Sequence, residues 1–96
     1  MRLLILYKVY GESMFPTFSP GQHVLASYIP YWFHNPQAGD VVIVRDPRDG
    51  RLLLKRIMKI QSKTYFVQGD NGGISTDSRE FGWIKKDELI AKALLF

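Results

Sequence analysis

Cysteine is absent from this 96-residue chain, which excludes disulfides and thiolate metal sites but leaves the compartment open. Histidine is scarce too: His23 and His34 stand apart from any cluster of ligating residues. Asp70, Asn71 and Asp77 are potential oxygen ligands, yet they lack the regular spacing and later glutamate of an EF-hand loop. No metal and no other cofactor is expected. Long apolar runs are also missing, since no stretch approaches the roughly twenty residues that cross a bilayer. In MRLLILY a charge follows at Lys8, before a signal-peptide core is complete. The segment reads as a first strand, and the chain as soluble (cytoplasmic) or peripherally attached to a membrane.

The residues present suit a small folded unit. A hydrophobic content of 46% is too high for a disordered chain, and 96 residues provide material for one core, so a single domain over 1–96 is expected. Valine, isoleucine, tyrosine and phenylalanine recur in short alternating runs at Leu3 to Val9, Val24 to Tyr28, Val41 to Arg45, Leu52 to Ile60 and Thr64 to Gln68. That pattern predicts a mainly β, antiparallel fold. Turn-forming residues between Arg45 and Gly50 predict a hairpin joining two of these runs. Lys85 to Leu89 fits a short helical turn, while LIAKALLF fits a closing strand, and both readings stay open.

The net charge of +4 draws on Lys55, Arg56, Lys59, Lys63, Lys85 and Lys86. Such an excess suits an anionic partner, but no nucleic-acid motif accompanies it and solvated lysines explain it as well. Nucleic acid is not an expected partner. YIPYWFHNP packs Tyr28, Ile29, Tyr31, Trp32 and Phe33 into one short segment. Trp and Tyr favour membrane interfaces, so a peripheral membrane contact is one reading. The preferred one is that these rings fold back over a core short of material.

Ser13 and Lys55 carry the chemistry. A serine hydroxyl is a weak nucleophile at neutral pH and needs a base, a role a lysine fills when its surroundings keep it uncharged. On a strand, Lys55 shares its face with Leu53 and Ile57, whose apolar side chains would desolvate an ammonium and lower its pKa. Arg56, on the opposite face, keeps its proton and must serve otherwise. Around Ser13, Gly11 permits a tight bend and Pro16 restricts Phe15 to an extended conformation. Taken alone, this segment favours an ordinary polar turn over Ser13 to Thr17.

Four stretches together go further. GESMFPT, GDVVIV at Gly39 to Val44, LLLKRI and GDNGGISTDSREFG occur in one order from Gly11 to Gly82. In that order they resemble the nucleophile box, following strand, lysine–arginine box and last box of the signal peptidase I family of serine proteases. The resemblance implies the antiparallel β fold of that catalytic core, with Ser13 as acyl-forming nucleophile and Lys55 as general base. It implies that Ser75 orients the lysine amine, that Asp70 pairs with Arg56 and Asp77 with Arg79, and that the Ser13 backbone N–H stabilises the oxyanion. Some relatives supply a second donor from a serine two places before the nucleophile, where this chain has Gly11. Another departure is Gln22, where relatives commonly have aspartate.

The function so implied is removal of an N-terminal leader from a protein precursor, with small residues before the cleaved bond. A narrower reading is the short subgroup that matures nickel superoxide dismutase, which would make that precursor the partner. Two alternatives remain: a self-cleaving domain like those of SOS-type repressors, which share the serine–lysine chemistry, and a β-rich peptide-binding module without turnover.

Overall fold

Val41 to Val44 are all buried, so the strand that carries them must be covered on both faces. Side chains alternate along a strand. Accordingly Val41 and Ile43 enter one apolar cluster, with Met14, Phe18, Val24, Leu54 and Ala91, while Val42 and Val44 enter a second, with Tyr31, Ile57, Tyr65, Val67 and Leu89. One sheet divides the two clusters. The computed structural model describes residues 3–73 and 76–95.

The elements run β1 (Ile5–Lys8), β2 (His23–Ser27), α1 (Pro30–Phe33), β3 (Val41–Arg45), β4 (Leu52–Gln61), β5 (Thr64–Gln68), α2 (Ser78–Phe81), β6 (Ile84–Lys85), a 3-10 turn (Lys86–Glu88) and β7 (Leu89–Leu95). The strands form one sheet of order β1-β2-β7-β3-β4-β5-β6, antiparallel at every pairing. The fold is mainly β, as the alternating runs predict. The hairpin across Arg45 to Gly50 is present, with Val42 opposite Lys55 and Arg45 opposite Leu52. Both readings of the C-terminal segment hold in part, because the 3-10 turn leads directly into β7. That last strand inserts between β2 and β3, so the chain's end completes the centre of the sheet.

YIPYWFHNP departs from the preferred expectation. Tyr31 is buried and Tyr28 half-buried, but Trp32 is 52% and Phe33 80% exposed. The reason is helical geometry, since α1 turns successive side chains by about 100° and only residues three apart share a side. Tyr28 and Tyr31 face the core and stack edge-on, 5.6 Å between centroids, and the exposed His34 ring packs edge-on against Tyr31 at 6.1 Å. Tyr31 also donates its hydroxyl to Asp40 Oδ2 at 2.7 Å, tying α1 to the start of β3. Trp32 and Phe33 point elsewhere.

Candidate active site

The turn bearing Ser13 is rooted in the core by the residues after it. Met14 and Phe18 are fully buried, and the Phe18 N–H donates to the Met14 carbonyl at 2.9 Å. Gly11 takes a left-handed φ of 70°, a conformation that costs glycine little and permits the bend out of the first strand. The Phe15 N–H closes the turn on the Glu12 carbonyl at 3.1 Å. A second segment grips the turn from outside. Asn71 donates its N–H to the Ser13 carbonyl at 2.8 Å and its Nδ2 to the Glu12 carbonyl at 3.1 Å, and the Asp70 N–H lies 3.4 Å from Met14 Sδ. At Gln22 the side chain closes its own turn, accepting from the Ser19 N–H at 3.1 Å, so the bend holds without an aspartate.

Lys55 stands on β4 opposite Val42, on the face that carries Leu53 and Ile57. It is 2% exposed, and Nζ lies 2.9 Å from Ser13 Oγ. As an ammonium, Nζ donates to Oγ; as an amine, it accepts the hydroxyl proton. Burial pushes the pKa of Lys55 down from 10.5 to about 8, with Asp77 pulling it up and Arg79 pushing it down by their charges. The pair therefore has both the contact and the basicity for proton transfer near neutral pH.

Arg56, one residue on, joins three segments. It makes a two-point contact with Asp70, Nε to Oδ1 and Nη2 to Oδ2 both at 2.9 Å, and donates Nη1 to the Gly39 carbonyl at 2.9 Å. That guanidinium holds the Asp70 carboxyl below its usual range. Asp77 is fully buried. It accepts from Arg79 Nη2 at 2.8 Å, Arg79 Nε at 2.9 Å, the Gly69 N–H at 2.9 Å and the Arg79 N–H at 3.1 Å, the last capping α2. The structure thus joins Asp70 to Arg56 and Asp77 to Arg79 and brings Ser13 to Lys55. Ser75 lies outside the described residues.

Two features escaped the sequence reading. One is the grip of Asn71 on the Ser13 turn, a contact between distant segments that its oxygen-ligand chemistry does not signal. The second is Arg48, whose Nη2 lies 3.1 Å from the buried Asp46 and whose guanidinium stacks on Phe81, tying the β3–β4 turn to α2. A signal for it was present. The triplet Asp-x-Arg occurs at Asp46, Asp49 and Asp77, with the arginine folding back on the aspartate in all three. A shallow groove of about 240 Å³ lined by Asn35, Pro36, Ile60, Lys63, Tyr65 and Lys86 includes none of the reacting groups.

The family model for signal peptidase, peptidase S26, matches residues 1–61 and 58–96. The chain belongs to the signal peptidase family. Among curated relatives of this family, it is 34% identical to the mitochondrial ATP-independent inner membrane protease subunit 1a of Arabidopsis thaliana, covering 91% of this chain and 66% of that protein. It is 23% identical to the probable signal peptidase I-1 of Synechocystis, covering 88% and 66%, and 24% identical to signal peptidase I U of Bacillus subtilis, covering 86% and 46%. The chain therefore spans less than two thirds of the length of these relatives. Among its described residues no helix is long and apolar enough to cross a membrane.

Proposed function

We propose that this chain is a serine endopeptidase that cleaves an N-terminal leader from a protein precursor, with Ser13 as nucleophile and Lys55 as general base. The observation that carries the reading is the 2.9 Å contact between Ser13 Oγ and a buried amine. Lys55 as amine takes the hydroxyl proton while Oγ bonds to the scissile carbonyl carbon. The carbonyl oxygen becomes negative and faces the Ser13 N–H. Collapse expels the leaving amine, which takes the proton back from Lys55, and leaves an ester on Ser13. Water, deprotonated by Lys55, then attacks that ester, and the lysine returns the proton to Ser13 Oγ as the leader departs as a carboxylic acid.

The remaining residues brace this pair. Ser75 orients the Lys55 amine, Asp70 with Arg56 fixes the segment that grips the Ser13 turn, and Asp77 with Arg79 sets the charge around the amine. Family membership supports a precursor protein as substrate. The nickel superoxide dismutase precursor is a narrower candidate, and its leader remaining uncut on co-incubation would remove it. Exposed Trp32 and Phe33 support a peripheral membrane contact, which liposome co-sedimentation without binding would eliminate.

The deciding experiment is mass spectrometry of a panel of leader-bearing precursors incubated with wild type and with Ser13→Ala. A cut made by wild type alone is the expected result and reads the cleavage boundary directly. An equal cut by both proteins rules out Ser13 as nucleophile. Wild-type chain that shortens itself while the precursors stay intact points instead to a self-cleaving domain.

A further inference from the structure

The Ser13 N–H belongs to the peptide plane whose carbonyl is that of Glu12. In a trans peptide these two groups point in opposite directions, so whatever holds the Glu12 carbonyl also aims the Ser13 N–H. Two donors hold it. The Phe15 N–H binds from within the turn at 3.1 Å, and Asn71 Nδ2 binds from the segment after β5, also at 3.1 Å. The Asn71 N–H fixes the next plane through the Ser13 carbonyl at 2.8 Å. Among the described residues, no acceptor takes the Ser13 N–H itself.

We propose that the Asn71 side chain is a positioning residue for acyl transfer, locking the Glu12–Ser13 peptide so that the Ser13 N–H faces the oxygen that turns negative. This rests on the reading of Ser13 as nucleophile. The turn bond from Phe15 occupies one lone pair of the Glu12 carbonyl and leaves the plane free to rock about that contact. Asn71 occupies the other from a separate segment, which Arg56 secures through the neighbouring Asp70. A carboxamide carries no charge, so its loss leaves the charges around Lys55 unchanged. Its effect therefore falls on the developing oxyanion and not on the base.

That separation defines the test. Asn71→Ala removes the side-chain donor, and Asn71→Asp keeps its shape but offers only acceptors; both keep the backbone bond to Ser13. The probes are a peptide boronic acid ending in alanine, which forms a tetrahedral adduct on Oγ, and the same peptide as a carboxamide, which does not. Both variants are expected to bind the boronic acid about tenfold more weakly, less than the hundredfold or more that follows outright deletion of an oxyanion donor. Carboxamide affinity stays within about twofold, and in Asn71→Ala, which changes no charge, the pH midpoint of adduct formation does not move. The amide order parameter at Ser13 falls while the melting temperature holds. Unchanged boronic acid affinity, equal loss for both ligands or a displaced midpoint in Asn71→Ala would each overturn the assignment. Ser13→Ala separates the two levels: if it binds the boronic acid as well as wild type, the nucleophile reading falls and Asn71 with it. If it does not, while Asn71→Ala matches wild type, only the Asn71 assignment falls.

Discussion

Lys55 is held where a charge is costly, and that cost has a sign that can be measured. Its folded pKa of about 8 lies below the ordinary 10.5, so between these values the unfolded chain binds more protons than the native one. Stability therefore rises with pH across that window, and the penalty for burying an ammonium is fully present below about 8. Lys55→Met keeps much of the side chain's bulk without the charge. The variant is expected to melt higher than wild type at pH 7, with the advantage shrinking as pH climbs towards 10.5, and to lose cleavage. In wild type the rate of acylation rises through about pH 8 and then levels, as the amine form of Lys55 accumulates. A flat profile across that range would remove Lys55 as base, and so would a variant that cleaves like wild type.

At the scale of elements, α2 and its N-cap Asp77 place two opposite charges that act on that amine, although the helix is only four residues long. Asp77 raises the basicity of Lys55 and Arg79 lowers it, so Asp77→Asn moves the pH midpoint of acylation down and Arg79→Met moves it up. A shift in the same direction for both would contradict this arrangement. Asp77→Ala also removes the α2 cap and, among the described residues, the acceptor of hydrogen bonds from Gly69 and Arg79, which costs about 1 to 3 kcal/mol. Arg79→Met destabilises too, because it leaves a buried carboxylate behind. Combining the two is expected to cost less than their sum in chemical denaturation.

The strands around these groups were legible because valine-rich alternation marks a pleat, and the box motifs located Ser13, Lys55 and both ion pairs. Other features lay below that resolution. β7 is buried through Leu89, Ala91 and Ala93, but LIAKALLF has a single β-branched residue, Ile90, among leucine, alanine and lysine that favour helix as readily. The β4–β5 turn places Ser62 and Lys63 at positive φ without glycine, asparagine or aspartate to signal it. Helices of one turn are too short for a 3.6-residue period, so neither the exposure of Trp32 nor the role of α2 could be read in advance. Asn71 acts through contacts with a turn nearly sixty residues earlier, which no local pattern encodes.

Across the whole molecule the two reacting groups depend on different cores. Met14 and Phe18 root the Ser13 turn in one cluster, whereas Lys55 emerges among Val42, Val44 and Ile57 of the other. The sheet that separates the clusters is therefore also what registers nucleophile against base. This division predicts opposite signatures for two substitutions of comparable severity. Phe18→Ala costs about 3 to 5 kcal/mol and Ile57→Ala about 2 to 5, each a large share of the roughly 5 to 15 kcal/mol that holds a domain together. Both lower the melting temperature. Only Ile57→Ala admits water to the face of β4 that desolvates Lys55, so it alone moves the pH midpoint of acylation up towards the ordinary lysine value. Phe18→Ala instead loosens the Ser13 turn, lowering the plateau rate with the midpoint in place. Measured below the melting temperature of each variant, rate against pH separates the two effects, and a midpoint that moves equally in both would show that the clusters do not act on the site independently.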